Sequence, residues 1–434
     1  MGVIIVGAGP AGASLALLLA RGGIPVTLLE QEASFERVFR GEGLMPAGMD
    51  ALGQMGLANL LKTIPHRRLE SWHIHLGGQA VFVVPEPDLG DASLSIVSQP
   101  ALLQGLVDEA RQYDCFEFRT NCQVQDLLWE KNRVVGVQVK TDGGPSDMRA
   151  DLVIGCDGRG SLVRRKAGLT IDLQPDQYDV LWFKLPAPER LQKTCQFYLM
   201  AKAQEHPASC YTSWDGQLQY GLILPKGGLG QLGDADWLEL AAKPAPDWLA
   251  QHVLAQRASV SQPVRLNVVV GNCARWWIPG VLLLGDAAHP MSPVRAQGIN
   301  LALRDAIVAA NHLVPAWQKN LAAVAAKQLA PAWQKNLAAV AANHLAPTWQ
   351  KNLAAVDGAL ASIQQERMPE VVRSQTLQLR EANGLKVIRS SPWKLAIAQQ
   401  VLPLIGRLPR VQQAWLARQQ DLRHGSQPVQ LIRF

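Results

Sequence analysis

The chain opens on a short apolar run, Gly2–Val6, followed by a glycine-rich turn, an Ala/Leu-rich stretch from Pro10 to about Arg21, and a second apolar run, Val26–Glu30. Short apolar runs bounded by glycine predict strands, and the proline-led Ala/Leu stretch predicts a helix. The first thirty residues therefore form a β-α-β unit. Segments 69–84 and 179–224 alternate Trp, Tyr, Phe, Val and Leu with polar residues between Pro and Gly boundaries, which predicts antiparallel strands of a second layer. Pro100–Ala110 reads as a helix and Val134–Lys140 as a hairpin strand. Leu152–Cys156 and Val281–Leu284 are apolar throughout, as strands covered on both faces are. From Ile299 onward the periodicity is helical.

The helical region contains three tandem 16-residue copies, 311–326, 327–342 and 343–358, each carrying WQKNLAAV unchanged. Within a copy Trp317, Leu321 and Val324 fall on one helix face. A straight helix rotates successive copies by about 160°, so their equivalent faces diverge. Pro315, Pro331 and Pro347 recur once per copy, which predicts short helices starting near each proline, or one kinked helix.

Composition narrows the class. With 434 residues, 48 % apolar and 18 % charged, the chain holds two or three domains and is not globally disordered. The net charge of +6 is local, because residues 360–434 carry eleven Lys/Arg against four Asp/Glu. A basic tail on a neutral body argues against nucleic-acid binding. Its mixture of Leu, Ile, Val and Trp393 with Lys386, Arg389, Lys394 and Arg407 leaves two readings open: a peripheral anionic-membrane contact, or a helix packed on the body. Six cysteines without metal-type spacing fit a reducing, cytoplasmic setting, and no metal site is expected. No apolar run is long enough to span a bilayer, and the apolar N-terminus lacks a signal peptide's charged start.

Three segments carry candidate chemistry. The first is Gly7-Ala8-Gly9-Pro10-Ala11-Gly12 between strand and helix, with Glu30 ending the next strand. These glycines let a pyrophosphate approach backbone N–H groups at a helix N-terminus, and the acid can bind ribose hydroxyls. The second is a buried strand ending in Asp157-Gly158. The third is a buried strand ending in Gly285-Asp286, followed by Pro293, Gln297, Gly298, Ile299 and Asn300, where a helix begins. His289 reads as a structural imidazole, because no nucleophile motif accompanies it. A further glycine match, Gly228 to Gly233, lacks a following strand and acid and is expected to be a flexible loop.

The order and spacing of the three segments resemble the group A flavoprotein monooxygenases, the para-hydroxybenzoate hydroxylase-like family, and within it the ubiquinone-biosynthesis branch. The resemblance covers most of residues 1–310 and the helix around Gln364–Arg373. It implies an α/β fold: a Rossmann-like FAD-binding domain (1–68, 85–178 and 265–310), an interleaved mixed β-sheet substrate domain (69–84 and 179–264), the repeats (311–358) and a basic C-terminal helical region (359–434). Gly7, Gly9, Ala11, Gly12 and Glu30 would then hold the adenosine half of FAD. Gln99 would lie near the pyrophosphate, Val124 near adenine, and Arg40 near the ribityl chain and the nicotinamide path. Asp157 and Asp286 would meet the cofactor, and Pro293, Gly298, Ile299 and Asn300 would border the isoalloxazine. Arg40 and Pro293 stand nearest to the chemistry. No catalytic residue follows from the sequence.

The implied reaction uses NAD(P)H as a transient co-substrate and O2. A flavin C4a-hydroperoxide hydroxylates a small aromatic or lipophilic quinone-like substrate. Two departures stand out: Gln99 occupies a place where the family usually has arginine, and Arg295-Ala296 replaces smaller residues. The alternatives are an FAD-dependent reductase or desaturase of isoprenoids, which shares the frame, and an enzyme-derived protein that docks or oligomerises through its repeats.

Overall fold

The computed structural model describes residues 2–36, 41–174, 178–232, 236–329, 337–389 and 392–433, with side chains except within 320–352 and 384–392. Val3–Val6 sits in the middle of a six-stranded sheet. It pairs in parallel with Leu152–Gly155 on one side and Val26–Leu29 on the other, in the registers Val3↔Leu152 and Val3↔Val26. Phe116–Arg119 and Val281–Leu283 extend the parallel set outward, and Trp277–Ile278 closes one edge antiparallel. The helix Pro10–Arg21 crosses over this sheet, with proline at its first turn and every residue from Ala11 to Ala20 buried. Leu15, Leu17, Leu18 and Leu19 are wholly buried, each contributing about 1.5–3 kcal/mol of transfer free energy. This is the β-α-β unit expected from the sequence.

The second layer is a seven-stranded sheet in the order Val264–Asn267, Tyr178–Pro186, Gln217–Pro225, Ala208–Thr212, Gln196–Ala201, Ser71–Leu76 and Gln79–Pro85. Only the Gln196–Ala201 and Ser71–Leu76 pair is parallel; the other pairs are antiparallel. The period-two pattern divides its residues between two faces. Leu181, Phe183, Leu185 and Tyr220 pack against the helices Trp237–Ala242 and Asp247–Ala255. Val180, Trp182 and Tyr211 face the other way, towards Trp72. Tyr220 is thus core, its hydroxyl donating to the Ala241 carbonyl at 2.7 Å.

Two expectations change. The segment around Gly228 is one turn of helix, Gly228–Gln231, with Gly227 at φ 81; Gly233 lies outside the described residues. No new helix begins at Pro315 or at Pro347, each of which lies inside a longer helix. One helix runs from Gln297 to Leu329 with Pro315 inside it, straight through the expected boundary at 310, and a second runs from Leu337 to Arg389. Pro331 lies outside the described residues. The two helices pack antiparallel, pairing Asp305 with Arg367 and His312 with Glu366. Packing of the wholly buried Leu313 and Val314 beside Pro315 against the body holds the helix through the proline. Among the described residues no helix is long and apolar enough to cross a membrane.

Candidate flavin and substrate site

One continuous cavity of about 2780 Å³ runs from the Gly7 turn to the seven-stranded sheet. Its first end is built by the β-α-β unit. Gly7 has φ +98, and a Cβ there would stand 2.6 Å from the Cys156 carbonyl oxygen. Around a Cβ on Gly9 there is open space within 4 Å, whereas one on Gly12 would stand 2.0 Å from the Gly7 carbonyl oxygen. The three positions therefore do different work: a turn, a clearing for a ligand, and close helix–strand packing. Glu30, only 4 % exposed, accepts from the Ala8 N–H (3.0 Å) and the Glu32 N–H (3.0 Å), which fastens the turn beside the acid. Such a cradle, with a carboxylate at the end of the second strand, fits the adenosine and pyrophosphate of a dinucleotide.

Gly7, Gly9, Ala11, Glu30, Gln99, Val124, Asp157, Asp286, Pro293, Gly298 and Ile299 all line this cavity. Two of the expected residues do not. Gly12 is consumed by packing. Asn300 is 2 % exposed and acts as a brace: its Oδ1 accepts from the Met45 N–H (2.9 Å), and its Nδ2 donates to the carbonyls of Gly43 (3.1 Å) and Ala296 (2.6 Å). Arg40 lies outside the described residues. Gln99 is the first residue of the helix Gln99–Ala110, behind the Ser98 cap.

The two Asp-Gly segments are fixed differently. Asp157 caps the helix Leu162–Lys166: one oxygen accepts from the Ser161 hydroxyl (2.5 Å), the other from the N–H groups of Leu162 (2.7 Å) and Val163 (3.0 Å). Beneath the Gly285-Asp286 turn lies Asp305, fully buried. It accepts from the Gly285 N–H (3.2 Å), His289 Nε2 (2.7 Å) and Arg367 Nε (2.7 Å). Burial opposes its ionisation, yet the charges and hydrogen bonds of His289 and Arg367 hold it down at about 2. Arg367 also pairs with Glu370, which pairs with Arg304 at 2.8 Å. His289 is thus structural, its ring tilted against Trp276 with centroids 4.9 Å apart.

The turn at Pro293 is held from behind by the C-terminal helices. Gln378 Nε2 donates to the carbonyls of Ser292 (2.9 Å) and Val294 (2.6 Å), and Gln297 Nε2 to those of Arg295 and Leu422 (both 2.8 Å). Arg295 and Ala296 take positive φ values of 58° and 49°, costly for residues with a Cβ. Arg295 itself lines the cavity. Its guanidinium lies between Trp72 (4.2 Å to the ring centroid) and Trp415 (4.6 Å), paired with Glu381 at 2.9 Å.

Beyond this turn the wall is aromatic: Trp72, Tyr178, Trp182, Phe197, Tyr211 and Trp415. Trp415 comes from the tail, which Arg423 ties to Glu86, a carboxylate that also accepts from Trp72 Nε1 at 2.7 Å. Sequence reasoning missed Asp305, Arg367, Gln378 and Trp415. Their partners stand far away along the chain, and no local spacing marks them.

The family described as FAD binding domain matches residues 1–320. The chain is 35 % identical to 6-methylpretetramide 4-monooxygenase of Streptomyces rimosus over 71 % of this chain and 73 % of that one. It is 27 % identical to digeranylgeranylglycerophospholipid reductase 1 of Methanopyrus kandleri over 73 % and 81 % of the two chains. Its fold is similar to that of p-nitrophenol 4-monooxygenase from Pseudomonas putida DLL-E4, with a TM-score of 0.70, 18 % identity, and 98 % and 99 % of the two chains covered. With a dinucleotide cradle built from its first thirty residues and opening onto an aromatic chamber, the chain belongs to the FAD binding domain family as an FAD-dependent monooxygenase.

Proposed function

We propose that the enzyme hydroxylates a phenolic aromatic substrate, using NAD(P)H and O2. The observation that carries this reading is the continuity of the cavity: the cradle of Gly7, Gly9 and Glu30 and the wall of Trp72, Trp182, Phe197 and Tyr211 bound the same space. The chemistry supplied by a bound flavin is hydride acceptance from NAD(P)H and transfer of one atom of O2 to an aromatic carbon, the other leaving as water. The chain's own residues hold the cofactor at Gly9, Glu30 and the Pro293–Ile299 turn. The aromatic side chains exclude water and orient a flat ring. A relative that acts on 6-methylpretetramide and a structural neighbour that acts on p-nitrophenol support a substrate from the phenols, from one ring to several fused rings.

The test is 18O2 labelling with 4-nitrophenol and with fused-ring phenols as probes. One labelled oxygen atom in the product and NAD(P)H oxidation stimulated by the phenol are expected. NAD(P)H oxidation without O2 consumption would favour the isoprenoid-reductase alternative, which the archaeal relative supports.

A second proposal concerns the tail. On the helix Pro392–Ile405 and just beyond it, Trp393, Ile397, Val401, Leu404 and Leu408 form a stripe 43–76 % exposed, with Lys394, Arg407 and Arg410 exposed beside it. Its opposite face packs through Leu395 and Leu402 on Val81 and Phe82. An apolar stripe flanked by cations fits an anionic lipid surface. Co-sedimentation with phosphatidylserine vesicles at low salt, lost in Leu404→Glu, is expected. Equal recovery with and without vesicles overturns it.

A further inference from the structure

A polar corner lies where the flavin turn meets the aromatic wall. Glu42 stands in the cavity lining next to the strand Gly43–Leu44, only 5 % exposed. Gly43 abuts the Pro293 turn: a Cβ on it would stand 2.8 Å from that of Ala296, and its carbonyl is held by Asn300. The Glu42 carboxylate projects from this junction towards the substrate sheet. One oxygen accepts from Ser213 Oγ (2.7 Å) and the other from Lys184 Nζ (3.2 Å). Lys184 also donates to Ser213 (3.0 Å) and Asp215 (2.8 Å), and lies 5.3 Å from the Trp214 ring centroid. Glu42, Lys184, Tyr211 and Trp214 all line the cavity.

The corner is the wrong place for a purely structural ion pair. Lys184 is satisfied by Asp215 on its own, and a buried carboxylate costs several kcal/mol of desolvation unless its pairing offsets it. Burial raises the Glu42 carboxyl above its ordinary value, against the opposing effects of Lys184 and Ser213. The Asp215 carboxylate on the same lysine adds to that rise; burial, with Glu42 beside it, pushes the Tyr211 phenol well up, and burial pushes the Cys195 thiol up to about 12. A carboxyl moved towards neutrality, inside the ligand cavity and beside a fixed cation, is suited to proton exchange.

We infer that Glu42 is the catalytic residue that takes the hydroxyl proton of a phenolic substrate, with Lys184 and Ser213 fixing its carboxylate at the junction of flavin turn and aromatic wall. This rests on the phenol-hydroxylase reading above. In the step, the substrate O–H bond breaks and its proton goes to a Glu42 oxygen. The electron pair stays on the substrate oxygen and raises electron density at the ring carbons ortho and para to it. One of those carbons takes the oxygen atom that the monooxygenase reaction supplies from O2. The C–H bond at that carbon then breaks, its electron pair restoring the aromatic ring and its proton passing to water, and Glu42 returns the proton it took to the ring oxygen. Lys184 stabilises the negative charge while it resides on the substrate.

The test uses the FAD-loaded enzyme and Glu42→Gln, Glu42→Asp and wild type. Flavin content is measured first, and equal content shows an intact frame. The second readout is the dissociation constant of 4-nitrophenol across pH, with nitrobenzene as a control lacking the hydroxyl. Wild-type affinity for 4-nitrophenol should rise as Glu42 ionises, above the ordinary carboxylate range, and fall once free nitrophenol ionises. Glu42→Gln should lose the rising limb, Glu42→Asp should keep one, and nitrobenzene should show none in any form. The kcat/KM profile should carry the same limb, and Glu42→Gln should lower kcat/KM by about 10²–10⁴-fold. A Glu42→Gln enzyme with wild-type pH profiles overturns the inference while leaving the phenol reading intact. Affinity that keeps rising through the ionisation of nitrophenol itself also overturns it, because the site then takes phenolate from solution. Failure of every phenol to bind or react would overturn the functional reading instead.

Discussion

The two ends of the cavity are built by different means. At the cofactor end the ligand-facing groups are backbone amides and glycines, fixed by carboxylates: Glu30 holds Ala8, Asp157 caps its own helix, and Asp305 holds Gly285. At the substrate end the wall is made of side chains from six separate stretches of chain: Glu42, Trp72, Tyr178 to Lys184, Phe197, Tyr211 and Trp415. A backbone cradle is built from short, close-packed turns, so it tolerates little change. A side-chain wall is assembled late and from afar, and it can be altered one residue at a time. Substitutions at the cofactor end should therefore unfold or empty the protein, and those at the substrate end should change selectivity.

The largest effect is expected at Asp305. Its replacement by asparagine leaves Arg367 buried with half its compensation, a loss of about 3–5 kcal/mol. Thermal unfolding monitored together with flavin release checks this. The wild type should reveal the same group in acid. The folded carboxyl sits at about 2, below the ordinary unfolded value of about 3.9. Its contribution is therefore complete above pH ~4 and is lost as pH falls towards 2. Asp305→Asn should flatten that part of the stability profile. An unchanged acid limb would show that other carboxylates govern it.

Next comes Gly12→Ala. The added methyl would press on the Gly7 carbonyl at 2.0 Å, so the turn must open, costing about 1–3 kcal/mol. The protein should purify with less than one FAD per chain. Gly9→Ala is the informative partner, because space surrounds its Cβ and only a bound ligand would resist it. A fold as stable as wild type with weakened FAD affinity is expected for Gly9→Ala, and equal destabilisation of both variants would break the contrast.

At the substrate end Arg295 offers a smaller, separable effect. Arg295→Ala removes the cation between Trp72 and Trp415, a contact of about 0.5–2 kcal/mol, but keeps the positive φ. Arg295→Gly removes both cation and strain and should be more stable than the alanine variant by about 1 kcal/mol. Both should raise KM for aromatic substrates more than they lower flavin affinity. If flavin is lost instead, the guanidinium belongs to the cofactor end.

This division also explains what the sequence makes legible. The Gly7–Gly12 turn, Glu30, the strands before Asp157 and Gly285, and the helix at Pro10 are local patterns, and each appears where periodicity and spacing place it. Asn300 is expected to border the isoalloxazine, yet it is buried in the helix behind the turn and acts as a brace towards Met45, 255 positions away. Glu42 sits two residues from Arg40, which the family resemblance singles out. Its character depends on Lys184 and Ser213, which a one-dimensional reading cannot bring to it. The tail reads as basic and amphipathic, yet its delivery of Trp415 to the cavity requires the Arg423–Glu86 pair across 337 positions.

The smallest effect is expected where the sequence is most conspicuous, in the repeats. Trp317 at the start of the first WQKNLAAV and Val356 at the end of the third are both buried, 2 % and 0 % exposed, in one core cluster on facing helices. Deleting residues 321–352 removes the equivalent of two copies. Trp317 is then joined to Val356 through Gln318, Lys319, Asn320, Leu353, Ala354 and Ala355, a connection within the two to eight residues usual between packed helices. Both anchors and everything below them on the hairpin, including Asp305–Arg367, are retained. Added length at a hairpin tip changes closure entropy only logarithmically, so stability should move by less than about 0.6 kcal/mol. Flavin content and the oligomeric state by light scattering should stay as in the full chain. A shift to a smaller species with turnover intact would instead make the copies an assembly surface. A loss of flavin would mean that the hairpin tip supports the helix that opens at Gln297, beside the flavin turn.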